Sequence, residues 1–244
     1  MSAPLGQILS LTLIPVAATI LGGAAASVRV PSDTVRSLVQ HFAAGVVFAA
    51  VAGELLPEIT KGHQPVGVVI GFALGVAVML IIRHFAERLE GATPETTGRP
   101  SSNVGLITVV GIDVLIDGLL IGVGFAAGER VGTLLVIALT LELLFLGVSV
   151  ASSLGQSGVS RGRTIGTVAG LSVLVILGAA LGGTLLRGLS GLALEITLSF
   201  GAAALLFLVT EELLTEAHEV KETPLITAAF FAGFVALYLL ELAT

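Results

Sequence analysis

Eight long apolar runs, separated by short stretches that hold most of the charged residues, divide the 244-residue sequence. Each run is close to the ~20 residues that a helix needs to cross the hydrocarbon core of a bilayer. Runs of this length, repeated along a chain, are typical of serial membrane helices rather than of a soluble core. We therefore predict an all-α integral membrane protein with eight transmembrane helices. The predicted spans are Leu5–Ala26, Thr34–Leu56, Pro65–Arg83, Val104–Ala127, Thr133–Leu154, Thr164–Leu186, Leu192–Leu214 and Leu225–Leu242.

Composition supports this class and excludes several others. Apolar residues make up 55% of the chain and charged residues 11%, with a mean hydropathy of +1.06. Cysteine is absent, which excludes disulfides and thiolate metal ligands. No basic stretch with interleaved aromatic residues is present, so we expect no nucleic-acid partner. The first apolar run is long and has no basic leader, so we expect no cleaved signal and a single transmembrane domain over residues 1–244.

The distribution of Lys and Arg between the spans predicts the orientation. The odd-numbered loops hold eight of these residues and the even-numbered loops three. Because cytoplasmic loops are the richer in Lys and Arg, we expect both termini to lie outside the cell. The preference for Arg over Lys, the small size and the minimal loop favour a prokaryotic inner (plasma) membrane. The longest loop, residues 84–103, is rich in Thr, Pro, Ser and Gly, and we predict that it is flexible and cytoplasmic.

Spans two and seven share a sequence pattern. With a constant offset of 158 residues, Phe42 aligns with Phe200, and residues 54–58 (Glu-Leu-Leu-Pro-Glu) align with residues 212–216 (Glu-Leu-Leu-Thr-Glu). Under the predicted topology these two spans cross the membrane in opposite directions. The pattern therefore predicts an inverted repeat, with spans one to three matching spans six to eight around a central pair, spans four and five. Many secondary transporters are built in this way.

Three acids lie within the central pair of spans. Asp113 and Asp117 in span four are four residues apart, so they share one helix face. An ionised Asp at the bilayer centre costs ~2.5–3.5 kcal/mol on insertion scales, so intramembrane acids predict a function by default. Glu142 in span five has the same spacing to a following glycine as Asp113 has in span four. Because spans four and five are antiparallel neighbours, we expect the three carboxylates to converge near the membrane midplane.

The three carboxylates are candidate metal ligands. Carboxylate oxygens and water suit hard divalent ions such as Mg²⁺, Mn²⁺ or Ca²⁺, and they accept Fe²⁺ or Zn²⁺ less selectively. Two other interpretations stay open. The acids can form a protonated, hydrogen-bonded cluster that joins two helices, or they can relay protons.

The remaining acids of spans two and seven are candidates for a route to this site. Glu54 and Glu58 would mark its outer mouth, and Glu211 and Glu212 its inner exit. Their positions near span ends are equally compatible with solvated carboxylates at the membrane interface. We expect His41, at the start of span two, to lie at the protein surface.

Taken together, these features resemble the Zrt/Irt-like (ZIP) family of divalent metal transporters over essentially the whole chain. Residues 41–50 (His-Phe-Ala-Ala-Gly-Val-Val-Phe-Ala-Ala) and residues 54–58 are similar to the second helix of that family. Eight spans, outside termini, a variable loop after span three and an acidic pair near the end of span seven also match. The resemblance implies a metal site in spans four and five, usually for Zn²⁺ or Fe²⁺, and binuclear in some members. It also implies a rocking or elevator-like movement of spans one, four, five and six.

The chain departs from the family pattern in span four. The family motif is His-Asn-x-Pro-Glu-Gly, and here Asp113 stands at the histidine, Val114 at the asparagine, Ile116 at the proline and Asp117 at the glutamate. The glycine, Gly118, is kept. Losing the imidazole ligand shifts the site toward harder ions, although Zn²⁺ still accepts carboxylates.

Two more departures concern a second metal position. Leu146 in span five stands where the family has a second glutamate, and Val175 in span six stands where some members have an acid. The histidine-rich loop of the family is missing too, because the third loop holds only His84, at its edge. The comparison therefore predicts at most one metal site, formed by Asp113, Asp117 and Glu142.

The leading hypothesis is a ZIP-like permease. It would move a divalent cation toward the cytoplasm through one carboxylate-lined midplane site by alternating access. Low dielectric and neighbouring like charges favour the protonated form of an empty carboxylate site, so cation loading would displace a proton. The expected partners are divalent metal ions (Zn, Fe, Mn or another, as cargo and not as a cofactor) and the lipid bilayer, and a homodimer is left open.

Two alternatives remain. A divergent member that no longer transports metals, either a sensor or a carrier of another cationic solute, would explain the missing proline and glutamate. An intramembrane aspartyl protease also needs two membrane aspartates, but such enzymes oppose them from two helices, whereas Asp113 and Asp117 share one. We therefore expect no enzyme.

Overall fold

A computed structural model describes residues 4–91, 103–186, 188–218, 220–221 and 223–243, and every regular element in these ranges is helical. Eight helices are long and apolar enough to cross a membrane, which confirms the predicted fold class. They are α1 (Leu5–Val28), α2 (Asp33–Gly62), α3 (Pro65–Gly91), α4 (Asn103–Ala127), α5 (Glu129–Gln156), α6 (Arg161–Leu185), α7 (Gly191–Ala217) and α8 (Pro224–Ala243).

Short connections with clear stop and start signals separate α2 from its neighbours. The Ser32 hydroxyl accepts a hydrogen bond from the backbone N–H of Val35, and Asp33 lies in the first turn, where an acid favours the helix dipole. The helix ends at His63, which adopts a left-handed conformation (φ 52°), and Pro65 begins α3. The turn between α2 and α3 is therefore tight, and α3 runs back in the direction opposite to α2.

The loop predicted over residues 84–103 is shorter than expected. Helix α3 continues to Gly91 and α4 begins at Asn103, so residues 84–91 are helical, and residues 92–102 lie outside the described part of the chain. The reason is that hydropathy reports where a helix leaves the membrane, not where it ends. Residues 84–91 include charged residues that end the apolar run, but most of them are good helix formers, so the helix extends beyond that run.

The helices pack as one group of four and two pairs. Helices α1, α4, α5 and α6 form the four-helix group, in which α4 packs closely on α6 and α1 on both α5 and α6. Helix α2 pairs with α8, and α3 pairs with α7. Helices α3 and α8 have the largest fraction of their surface open, which is compatible with a lipid environment.

Glycines allow the helix pairs to approach backbone to backbone. A Cβ atom on Gly45 of α2 would collide with the carbonyl oxygen of Phe230 in α8, and one on Gly233 of α8 would collide with that of Phe42. Small residues at such crossings are how helices associate in lipid, where the hydrophobic effect does not drive them together. The Gly-rich composition therefore has a packing role in this fold.

The packing arrangement is consistent with the predicted inverted repeat. Exchanging α1 with α6, α2 with α7, α3 with α8 and α4 with α5 converts the pair α2–α8 into α7–α3 and the pair α1–α5 into α6–α4. Both α2 and α7 also contain a π-helical segment, Val51–Leu55 and Leu208–Leu213, and the two overlap at the 158-residue offset found in the sequence.

Candidate metal centre

The structure brings the three central acids together. One carboxylate oxygen from each of Asp113, Asp117 and Glu142 lies within 4.8 Å of the other two. Asp117 is 0% exposed and Glu142 3% exposed, while Asp113 is half-buried at the edge of the cluster. Two residues one turn apart in α4 thus face one residue of α5, in an arrangement that can surround one cation.

The buried carboxylates lack donors. Among the described residues, no hydrogen-bond donor reaches either side-chain oxygen of Asp117 or the Oε2 atom of Glu142. A buried polar group without a partner costs free energy, and buried carboxylates are ordinarily paired, hydrogen-bonded or bound to a metal ion. A bound cation, or protons shared between the acids, would satisfy these atoms.

Glycines that follow the acids fix the positions of α4 and α5. A Cβ atom on Gly118 would collide with the carbonyl oxygen of Val175 in α6, and one on Gly147 would collide with that of Thr19 in α1. Gly118 therefore lets α4 lie directly against α6, and Gly147 lets α5 lie directly against α1. The acids are carried by helices whose backbones are in contact with their neighbours, so their positions are well defined.

A small polar pocket reaches the acids from one side of the protein. Its volume is about 30 Å³, which is room for one or two water molecules. Its polar lining residues are Gln40, Asp113, Glu142, Ser149, Glu212 and Glu216.

A second pocket, of about 210 Å³, lies next to the first. The two pockets share Gln40 and Glu216, and Asp33, Arg36 and Ser37 also line the second one. The two pockets thus place polar side chains between the acids and the face at which α2 begins and α7 ends.

Of the four acids predicted to form the route, Glu212 alone lines the pocket that contains Asp113 and Glu142. Glu211 is exposed and forms an ion pair with Arg83 at 2.5 Å. The structure thus separates two acids that are adjacent in sequence.

The two predicted acids of α2 pair with basic residues on the other side of the protein. Glu58 lies 2.6 Å from Lys61, and Glu54 accepts a 3.1 Å hydrogen bond from Arg130.

The pocket also contains residues that sequence analysis did not select. Glu216 belongs to the acid pattern shared by spans two and seven but was not selected as a route residue, and Gln40 and Ser149 received no role. A signal existed for Ser149, which follows Glu142 by seven residues and so lies on the same face of α5. Gln40 carries a similar signal, because it shares a face of α2 with Asp33, Arg36 and Ser37 at spacings of seven, four and three residues.

The expectation for His41 is wrong. The residue is 3% exposed, and its Nδ1 atom lies 2.9 Å from the carbonyl oxygen of Ser37. Its ring also packs edge-on against His218 of α7. The apolar pattern of α2 does not show which of its faces α7 covers, so the burial of a residue near the helix start was not visible in the sequence.

A bundle of eight membrane-spanning helices with an acid cluster buried between two of them defines an integral membrane protein with a candidate cation site. The chain is 30% identical to the zinc transporter ZIPB of Bordetella bronchiseptica, over 93% of this chain and 78% of that protein. No protein-family profile matches the chain.

The chain therefore belongs to the ZIP (Zrt/Irt-like) family of metal transporters, as a divergent member. This confirms the resemblance inferred from the sequence. It also places the protein in a transporter family rather than an enzyme family, and in a membrane, which its chain crosses several times.

Proposed function

We propose that this protein is a permease that carries a divalent metal ion through a single site formed by Asp113, Asp117 and Glu142. The observation that carries the proposal is the set of buried carboxylate oxygens that no donor reaches among the described residues, on acids whose oxygens lie within 4.8 Å of one another. Three oxygen ligands, completed by water from the adjoining pocket, meet the needs of a hard divalent cation.

The route between the acids and one face supports transport by alternating access. The support is two adjoining pockets with polar lining between Asp113 and Glu142 and the face where α2 begins. By the distribution of Lys and Arg this face is cytoplasmic and both termini are outside. The direction proposed is therefore uptake toward the cytoplasm of a cell whose plasma (inner) membrane holds the protein.

The proposed cargo includes Zn²⁺, because the relative from Bordetella bronchiseptica is named a zinc transporter. The ligand set itself contains no nitrogen or sulfur donor. Sites made of carboxylates and water also suit Mn²⁺ and Fe²⁺, so these two ions belong to the proposed cargo as well. We expect one ion per chain, because Leu146 and Val175 offer no ligand where the family pattern has further acids.

The proposal is tested with purified protein in proteoliposomes. Wild-type protein should take up at least one ion from a panel of Zn²⁺, Mn²⁺, Fe²⁺ and Mg²⁺, and Asp117→Asn should abolish that uptake. Glu129→Gln is the matched control, because it neutralises an exposed acid at the start of α5 and keeps hydrogen-bonding capacity toward Gln7. Wild-type uptake by Asp117→Asn would remove the site assignment.

A second candidate is a family member that binds a cation without transporting it. The apolar residues Leu146 and Val175, at positions where the family pattern has acids, favour this alternative. It predicts one bound ion per chain in wild-type protein, no binding in Asp117→Asn, and no uptake of any ion in the panel. Measurable uptake by the wild type would eliminate it.

A further inference from the structure

The two faces of the protein differ in their access to the acid site. On the face where α2 begins, polar pockets lead to Asp113 and Glu142. On the other face, which we call the terminus face because α1 begins and α8 ends there, Arg130 lies at the start of α5. Its side chain joins helices that belong to different packing groups.

Arg130 makes two hydrogen bonds to two helices. Its Nε atom donates to Oε1 of Glu54 in α2 at 3.1 Å, and one terminal nitrogen donates to the backbone carbonyl of Glu241 in α8 at 2.9 Å. The Glu54 side chain is 9% exposed, whereas that of Arg130 is 53% exposed. Removing Arg130 would take this hydrogen-bonded guanidinium away from the buried Glu54 carboxylate, and breaking a pair that contains a buried charge is costly.

Arg130 is rigidly connected to the acid site. It lies twelve residues before Glu142 on the same helix, which corresponds to about 18 Å along the axis at 1.5 Å per residue. Helix α5 belongs to the four-helix group, whereas α2 and α8 form a separate pair. A movement of the acid site relative to α2 therefore has to break or rearrange the contact between Arg130 and Glu54.

Equivalent acids in the two related halves of the chain have different surroundings. Glu54 and Glu212 occupy equivalent positions at the 158-residue offset, each within a π-helical segment. Glu212 lines the pocket that contains the acids, whereas Glu54 is held by Arg130. Such a difference is expected when a protein with inverted repeats is open on one face and closed on the other.

We propose that Arg130 is a gating residue that closes the terminus face. Paired with Glu54, it keeps the acid site accessible from the opposite face alone, and it leaves Glu54 each time the site opens to the terminus face. The proposal rests on the proposed transport function, because it assigns a step of the transport cycle to this contact.

Crosslinking tests the gate, and the natural chain suits it because it contains no cysteine. The double variant Glu54→Cys/Arg130→Cys is joined in proteoliposomes with a short thiol-specific linker that a reductant cleaves. The metal ion that wild-type protein transports is the probe. Crosslinking should reduce its uptake at least about tenfold, leave one ion bound per chain in detergent, and be reversed by the reductant.

The matched control is Gln7→Cys/Glu129→Cys, which joins α1 to α5 inside the four-helix group, where Gln7 donates a hydrogen bond to Glu129. Crosslinking this pair should change uptake less than twofold, because both helices belong to the same group. Equal inhibition of the two double variants, or unimpaired uptake by the crosslinked Glu54/Arg130 pair, would overturn the gate.

A charge exchange tests the pair without crosslinks. Arg130→Glu alone should reduce uptake about tenfold, because it places a second carboxylate opposite the buried carboxylate of Glu54. The exchanged pair Glu54→Arg/Arg130→Glu should recover most of the loss. A double variant no better than the single one would overturn the proposal. These failures differ from a failure of the transport function, which would appear as no uptake by wild-type protein.

Discussion

The side-chain amide of Gln40 in α2 donates a 2.6 Å hydrogen bond to a carboxylate oxygen of Glu216 in α7. Both residues line both pockets, so this contact lies where the small pocket around the acids meets the larger one that leads to the surface. At this position the negative charge of Glu216 would attract a cation that passes between the acid site and the face where α2 begins.

Replacing Glu216 should slow transport without removing the site. In Glu216→Gln the hydrogen-bonding capacity toward Gln40 remains, but the negative charge that concentrates cations in the route is lost. We expect uptake to fall about three- to tenfold and the dissociation constant at the acid site to change less than about threefold. Proteoliposome uptake and calorimetric binding measure the two quantities, and a lost binding site would show that Glu216 is a ligand.

Binding should weaken as the pH is lowered. Protons and metal ions compete for the oxygens of Asp117 and Glu142, and a carboxylate must be deprotonated to act as a ligand. Affinity is therefore highest at high pH and falls on acidification, with protons released as the metal binds. Calorimetry of one metal in buffers of different ionisation enthalpy measures this release, and binding without proton release would contradict the expectation.

Adding methyl groups at the helix crossings should destabilise the four-helix group. Gly118→Ala and Gly147→Ala each place a Cβ atom against a backbone carbonyl, and overpacking of this kind costs about 1–3 kcal/mol. We expect a lower thermal midpoint in detergent for both variants.

Gly166→Ala in α6 is the matched control, because a Cβ atom there meets nothing within 4 Å. This variant should keep or slightly raise the thermal midpoint, since Ala favours a helix over Gly by about 1 kcal/mol. Equal midpoints for the three variants would mean that the crossings are not tight.

Introducing an imidazole should alter the preference among metal ions. Asp113→His adds a nitrogen ligand at the half-buried edge of the acid cluster, where Zn²⁺ accepts nitrogen more readily than Mn²⁺ does. We expect the ratio of Zn²⁺ to Mn²⁺ affinity to rise about tenfold. Competition binding on wild type and variant measures the ratio, and an unchanged ratio would argue that Asp113 is not a ligand.

Much of the fold was accessible from the sequence, because a membrane helix is specified by its length and its apolar character. The meeting of Glu142 with Asp113 and Asp117 was also accessible, since the short connection predicted between spans four and five, residues 128–132, makes these helices antiparallel neighbours. The small-residue content of the spans indicates close helix packing in general, but it does not show that Gly118 meets Val175 or that Gly147 meets Thr19.

The partners of the remaining acids could not be predicted from the sequence. In a helix that is apolar on all sides, hydropathy does not show which face meets which neighbour, so nothing in the sequence linked Arg130 to Glu54. The start of α2 does show a polar face that includes Gln40, but the sequence does not show that Glu216 of α7 is its partner. Glu211 and Glu212 point in different directions because they are consecutive residues of one helix. To predict which of them faces the pocket, the rotation of α7 must be known to within one residue, and the π-helical segment changes that rotation.

The π-helical segments of α2 and α7 set the direction of every side chain beyond them. Each wide turn accommodates one residue more than an α-helix would, and removing it would rotate everything beyond by about 100°. A single-residue deletion within Leu208–Leu213 would therefore swing Glu216 away from Gln40, although neither residue is itself altered.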